Sequence, residues 1–111
     1  MISQRDIILL SFPFSDLKSS KVRPAVVLSN SKYNRKFEDI VAVPLTTKMK
    51  SRDYSLLITN NDLERGNLII DSTIKVDRIF SVSKKLVKMN IGRINKDTFD
   101  RIKRIVIEII E

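Results

Sequence analysis

The 111-residue sequence contains no cysteine and no histidine, and only two glycines and three prolines. Without cysteine there can be no disulfide, no thiolate metal site and no thiol nucleophile. Without histidine the usual zinc sites, Ser-His-Asp triads and imidazole acid–base pairs are excluded as well. Any chemistry must therefore come from Arg, Lys, Asp, Glu, Ser, Thr or Tyr. No apolar run approaches the roughly 20 residues that span a bilayer. The start, Met1-Ile2-Ser3-Gln4-Arg5-Asp6, has no charged-then-apolar export signal. These absences predict a cytoplasmic chain that needs no metal or other cofactor and has no membrane partner.

What is present describes a folded globular protein, with 42% hydrophobic and 31% charged residues and no linker, repeat or low-complexity stretch. The length fits one domain over residues 1–111, which on folding buries roughly two-thirds of the surface the unfolded chain exposes. Twenty-one Lys and Arg against thirteen Asp and Glu leave a formal charge of +8. That balance favours a polyanionic partner, nucleic acid first among them.

Apolar runs with β-branched members, bounded by polar or turn-forming residues, predict strands at residues 7–12, 23–29, 39–45, 54–58, 68–70, 72–80 and 86–94. A loop covers 15–21, a turn covers 30–34, and a short helical turn is expected around Asp62-Leu63-Glu64, closed by Gly66. From Asn95 the period changes. Phe99, Ile102, Ile105, Val106 and Ile109 recur at three or four residues, so Asn95 caps one amphipathic helix. Many short strands followed by a terminal helix imply a mainly β (α+β) domain, a small curled sheet or barrel carrying the helix outside.

Arg23 begins the second strand beside the lysines Lys18 and Lys21, while Thr46, Thr47 and Lys48 follow the third. If these strand ends meet, a guanidinium able to grip a phosphate bidentately lies near one or two hydroxyls, with lysines to steer the backbone. Such a set could stabilise the crowded, negatively charged phosphorus of an RNA-cleaving transition state. An arginine at a strand start is commonly a solvated charge, however, and Thr-Thr after a strand commonly forms a turn. Phe12 reads as core, whereas Phe14, past Pro13, is the candidate for stacking on a base. Asp77 and Arg78 would point to opposite faces of a strand and read as ion-pairing residues with different neighbours.

Taken in order, these segments resemble one family. Asp6-Ile7-Ile8-Leu9-Leu10-Ser11-Phe12-Pro13-Phe14-Ser15-Asp16-Leu17, then Arg23-Pro24-Ala25-Val26-Val27-Leu28-Ser29, are similar to the opening of MazF/PemK-type mRNA interferases. Ile40-Val41-Ala42-Val43-Pro44-Leu45-Thr46-Thr47, Lys75-Val76-Asp77-Arg78-Ile79-Phe80 and Ile91-Gly92-Arg93-Ile94 continue the likeness across nearly the whole chain. The family often has glycine before the first aspartate, where this chain has Arg5.

The resemblance implies a PemK-like, SH3-like small barrel with a C-terminal amphipathic helix, a homodimer, and metal-free cleavage of single-stranded RNA by its own 2′-hydroxyl. It also implies a cognate antitoxin whose tail fills the RNA groove. Carried over residue by residue, it places the catalytic arginine at Arg23 and the catalytic threonine at Thr46, with Thr47 as the alternative. Phe14, Asp16, Lys18, Lys21 and Lys48 would then face the RNA. Asp16 is the candidate for deprotonating the 2′-hydroxyl, a task for which an arginine is a poor base. Two other readings stand beside this one. A same-fold toxin acting on DNA gyrase, of the CcdB type, would resemble a chain with an aromatic, glycine-containing tail, whereas this one ends Ile109-Ile110-Glu111. An inactive barrel that only binds RNA or a partner would not need both Arg23 and Thr46.

Overall fold

The apolar runs are continuous because the central strands are buried on both faces. This is visible in a computed structural model that describes residues 2–13, 20–48 and 52–111. Ile7 on β1 (Asp6–Pro13), Val26 on β2 (Ser20–Val27), and Val43 and Leu45 on β3 (Asp39–Thr46) turn to one side. Their chain neighbours Ile8, Leu10, Ala25, Val27, Ile40 and Ala42 turn to the other. One sheet thus separates two cores.

β4 (Ser55–Ile58), β5 (Leu63–Gly66), β6 (Ser72–Lys75), β7 (Phe80–Ser83) and β8 (Val87–Ile94) complete an antiparallel sheet in the order β4-β6-β3-β2-β1-β8-β5, with β7 also on β3. The sheet curls into a half-barrel. Its larger core is closed by α2 (Lys96–Ile110), which sends in Phe99 and Ile102 and packs Ile105 and Val106 at the margin. Asn95 caps α2 as its position predicts, its side-chain oxygen accepting the Thr98 N–H at 2.8 Å. No helix of the described residues is long and apolar enough to cross a membrane.

β2 begins at Ser20, within the expected loop at 15–21, and ends at Val27, so Arg23 lies inside the strand and not at its start. Four further segments differ from the sequence expectation. Residues 30–34 do not merely turn: Asn30 caps a short helix, α1 (Ser31–Lys36). The helical turn near Asp62 lies two residues earlier than expected, spanning Asn60–Asp62, and Leu63 and Glu64 already belong to β5. Residues 68–70 form no strand. Leu68 alone enters the core, while Ile69 and Ile70 are exposed and pair with no neighbouring strand.

The fourth difference shapes the functional face. Residues 72–80 form two strands, β6 and β7, with a turn between them in which Arg78 N–H donates to Lys75 O at 3.1 Å. Both lie along the same side of β3, but Leu45 pairs with Ile74 and Ala42 with Phe80, so residues of the intervening segment are left over. Pro44 supplies the reason. Val41 directs its backbone toward β2, accepting Leu28 N–H at 2.8 Å and donating to Ser29 Oγ at 3.0 Å. By alternation Pro44 faces the β6–β7 side, where its ring has no N–H to donate. The facing strand breaks there and Arg78 sits in the break.

The first turn also carries strain. Arg5 has φ 79°, the left-handed region in which glycine is at ease. Its side chain compensates, donating to Glu64 Oε1 and to Ile94 O, each at 2.9 Å. Asp6 beside it is fully buried and accepts from Ser3 N–H and Arg93 Nε–H, both at 2.8 Å. The Asp6 hydrogen bond is the main reason the Arg93 pKa is raised.

Candidate functional site

The register of the sheet assembles the site from four strands. Ala25 on β2 pairs with Pro44 on β3, so stepping two residues along each strand places Arg23 across from Thr46 on the same face. Thr46 pairs in turn with Thr73 on β6, whose face-mate Lys75 pairs with Ser55 on β4. This is the face of the smaller core. Apolar residues hold its centre, and as β2 and β3 run past that core the same face becomes polar.

A groove of about 500 Å³ opens there. Its apolar lining is Leu10, Pro24, Pro44, Leu45 and Phe80, and its polar lining is Arg23, Thr46, Lys48, Lys75 and Arg78. Among the described residues no carboxylate lines it, and none lies within ion-pair distance of these four cations. Four cations gathered around one cleft give a potential that attracts an anion. Thr46 Oγ1 accepts the Lys48 N–H at 3.2 Å, which fixes the hydroxyl oxygen and leaves its proton to donate. A phosphate between Arg23 and Thr46 would meet a planar fork on one strand and a hydroxyl on the next.

The sequence-derived candidates divide as follows. Arg23, Thr46 and Lys48 come together in the groove. Lys21 is exposed on the same face as Arg23, two residues back along β2 and outside the lining. Thr47 is exposed and does not line the groove. Phe14, Asp16 and Lys18 lie outside the described residues. Lys75, Arg78 and Phe80 were not singled out as site residues by sequence reasoning. Arg78 reads there only as an ion-pairing residue, because a continuous strand over 72–80 gives no hint of the break at Pro44. The partner-bearing member of that pair is Asp77, whose Oδ2 accepts from Arg52 at 2.7 Å. A signal was present in the alternation of Lys75 with Thr73, which puts a cation on the Thr46 face once β6 is paired with β3.

Among solved structures the chain superposes on a MazE–MazF complex from Deinococcus radiodurans with TM-score 0.82 at 16% identity, covering 98% of this chain and 95% of that one. It superposes on an endoribonuclease in complex with its cognate antitoxin from a mycobacterial species with TM-score 0.78 at 18% identity, covering 97% and 93%. For the Mycobacterium tuberculosis toxin MazF-mt6 the values are 0.69 and 12%, over 89% and 91%. At these identities the likeness establishes the fold, including the half-barrel and its terminal helix. No curated protein matches at the level of sequence alone. Residues 3–110 do match a family as a whole, and the chain belongs to it: the PemK-like, MazF-like toxins of type II toxin–antitoxin systems.

Proposed function

We propose that this protein is an endoribonuclease toxin that cuts single-stranded RNA without a metal ion, leaving a 2′,3′-cyclic phosphate. The observation that carries the reading is the placing of Arg23 and Thr46 on one face of adjoining strands, within a groove lined by four cations and, among the described residues, by no carboxylate. RNA brings its own nucleophile, so the protein has only to grip the phosphate, stabilise added charge and move protons.

In this mechanism Arg23 holds two non-bridging oxygens of the scissile phosphate and Thr46 donates to one of them. The 2′-hydroxyl oxygen bonds to phosphorus as its proton passes to a base, for which Asp16 is the candidate. The bond from phosphorus to the 5′-oxygen breaks, and the leaving oxygen takes a proton from Arg23. Lys48, Lys75 and Arg78 offset the charge that builds on phosphorus. Lys18, Lys21 and the Phe14 ring would hold the strand on either side.

The antitoxin complexes among the structural relatives support a cognate antitoxin for this chain too, and the cationic groove suits an acidic tail. A homodimer fits the apolar Ile107 and Ile110, which α2 leaves exposed.

The test is incubation of the purified protein with a long unstructured RNA in excess EDTA, with the ends mapped. Wild type is expected to make discrete cuts ending in cyclic phosphate, and Arg23→Ala and Thr46→Ala to make almost none. Intact RNA across several substrates, or equal cutting by Arg23→Ala, would overturn the reading.

A further inference from the structure

Next to the groove is a second, smaller cavity of about 190 Å³, lined by Lys48, Arg52, Ser55, Thr73 and Lys75. Lys48 and Lys75 line both. We propose that this cavity is a separate subsite for a flanking phosphate of the same RNA strand, with Arg52 as its principal ligand. The inference rests on the nuclease reading of the groove and adds to it a phosphate position built beside β4 and β6, across β3 from Lys21.

Three observations carry it. Thr46, Thr73, Lys75 and Ser55 share one face across β3, β6 and β4, so the polar lining continues from the groove without crossing the sheet. The middle of the second cavity lies two strand spacings from the Arg23–Thr46 pair, about 10 Å, a distance one or two nucleotides bridge. Among the described residues the lining is three cations and two hydroxyls, donors throughout with no carboxylate, which is the chemistry of an anion site. Phosphate contacts of this kind fix register without reading sequence.

Arg52 is held for the task. Its NH2 donates to Asp77 Oδ2 at 2.7 Å, while Asp77 Oδ1 is buried without a hydrogen-bond partner among the described residues. Among the described residues the carboxylate is therefore committed to Arg52 on one oxygen and to nothing on the other. A guanidinium has five N–H donors, and anchoring one edge on Asp77 leaves the rest for the cavity. Asp77 is a positioning residue in this scheme: it orients Arg52 and does not itself touch the RNA.

The test uses binding, so that it does not depend on the chemistry. A short unstructured RNA, 2′-O-methylated throughout and hence uncleavable, carries a neutral methylphosphonate at one linkage at a time. Its affinity is measured for wild type, Arg23→Ala, Arg52→Ala and Lys103→Ala, the last removing one charge from α2. One linkage should matter to wild type by about tenfold and lose that effect in Arg52→Ala while keeping it in Lys103→Ala. It should be distinct from the linkage that loses its effect in Arg23→Ala. The dependence of log affinity on log salt should flatten by about 0.7 in Arg52→Ala. If every linkage that matters to wild type matters as much to Arg52→Ala, or if the strand does not bind, the subsite is overturned. Cleavage of unmodified RNA by wild type reports separately on the nuclease reading.

Discussion

Gly66 and Gly92, the two glycines of the chain, face each other as a pair across β5 and β8. Each leaves room for the other's backbone. A Cβ on Gly66 would stand 2.3 Å from Ile91 O, and one on Gly92 would stand 2.7 Å from Arg65 O. Gly66 also has φ +86°, closed to other residues without strain. Gly66→Ala is therefore expected to cost about 2–4 kcal/mol of stability, and Gly92→Ala, whose φ is ordinary, about 1–3 kcal/mol. Urea unfolding midpoints measure both. A Gly66→Ala protein as stable as wild type would mean that β5 does not approach β8 this closely.

Arg5 presents the opposite situation, a large side chain where backbone geometry favours glycine. Ala at this position keeps the left-handed strain and loses the hydrogen bonds to Glu64 and Ile94; Gly loses the bonds but also the strain. Arg5→Gly is expected to be more stable than Arg5→Ala by about 1 kcal/mol. Chemical denaturation of the two variants side by side decides it, and an Ala variant equal to or better than Gly would show that φ at Arg5 is not positive in solution.

The Arg5 hydrogen bond is the main cause holding the Glu64 carboxyl below its ordinary pKa of 4.5, aided by the charges of Arg5, Arg93 and Lys96. A depressed folded-state pKa means that the unfolded chain takes up the proton first as acid is added. Glu64 thus contributes stability that is complete above about pH 4.5 and is lost as the pH falls through the lower folded value. Thermal unfolding of wild type and Glu64→Gln should differ at pH 7 and converge as the pH is lowered below that point. A gap that stays constant with pH would assign the effect of the substitution to something other than this charge.

Much of this architecture was legible in the residues. The strands at 7–12, 23–29 and 39–45 announce themselves because both their faces are buried, and Asn95 with the spacing of Phe99 and Ile102 announces α2. Arg23, Thr46 and Lys48 were legible as chemistry because polar residues flank the apolar runs there; β3 does end at Thr46, β2 starts three residues before Arg23, and only the pairing of Ala25 with Pro44 and of Thr46 with Thr73 brings β2, β3 and β6 into one face. What the sequence hides is non-local. The missing N–H of Pro44 breaks a strand more than thirty residues later, and Ile69 and Ile70 look like strand residues until one asks what they pair with. Arg78 enters the site through that break, so no window of sequence around it could reveal its place, whereas Lys75 follows by alternation from Thr73 once β6 is paired with β3.

Arg23→Lys separates two contributions that the structure superimposes. Both side chains are cationic, so the groove keeps its four charges and its attraction for the strand. Lysine, however, is a point charge on a flexible stem, and only the guanidinium offers a planar pair of donors to two phosphate oxygens. If Arg23 acts chiefly through charge, Arg23→Lys should cut RNA at close to the wild-type rate. If it acts as the fork that stabilises the transition state beside Thr46, affinity for an uncleavable strand should change by no more than about threefold, while the cleavage rate falls by about 10²–10³-fold, as on loss of an oxyanion donor. The second outcome is expected, because Arg23 lies across from Thr46 on the adjoining strand, where its fork and the hydroxyl can meet one phosphate, whereas the other three lining cations add charge to the groove. Single-turnover cleavage with saturating protein measures it, since binding no longer limits the rate and any remaining deficit belongs to the chemical step.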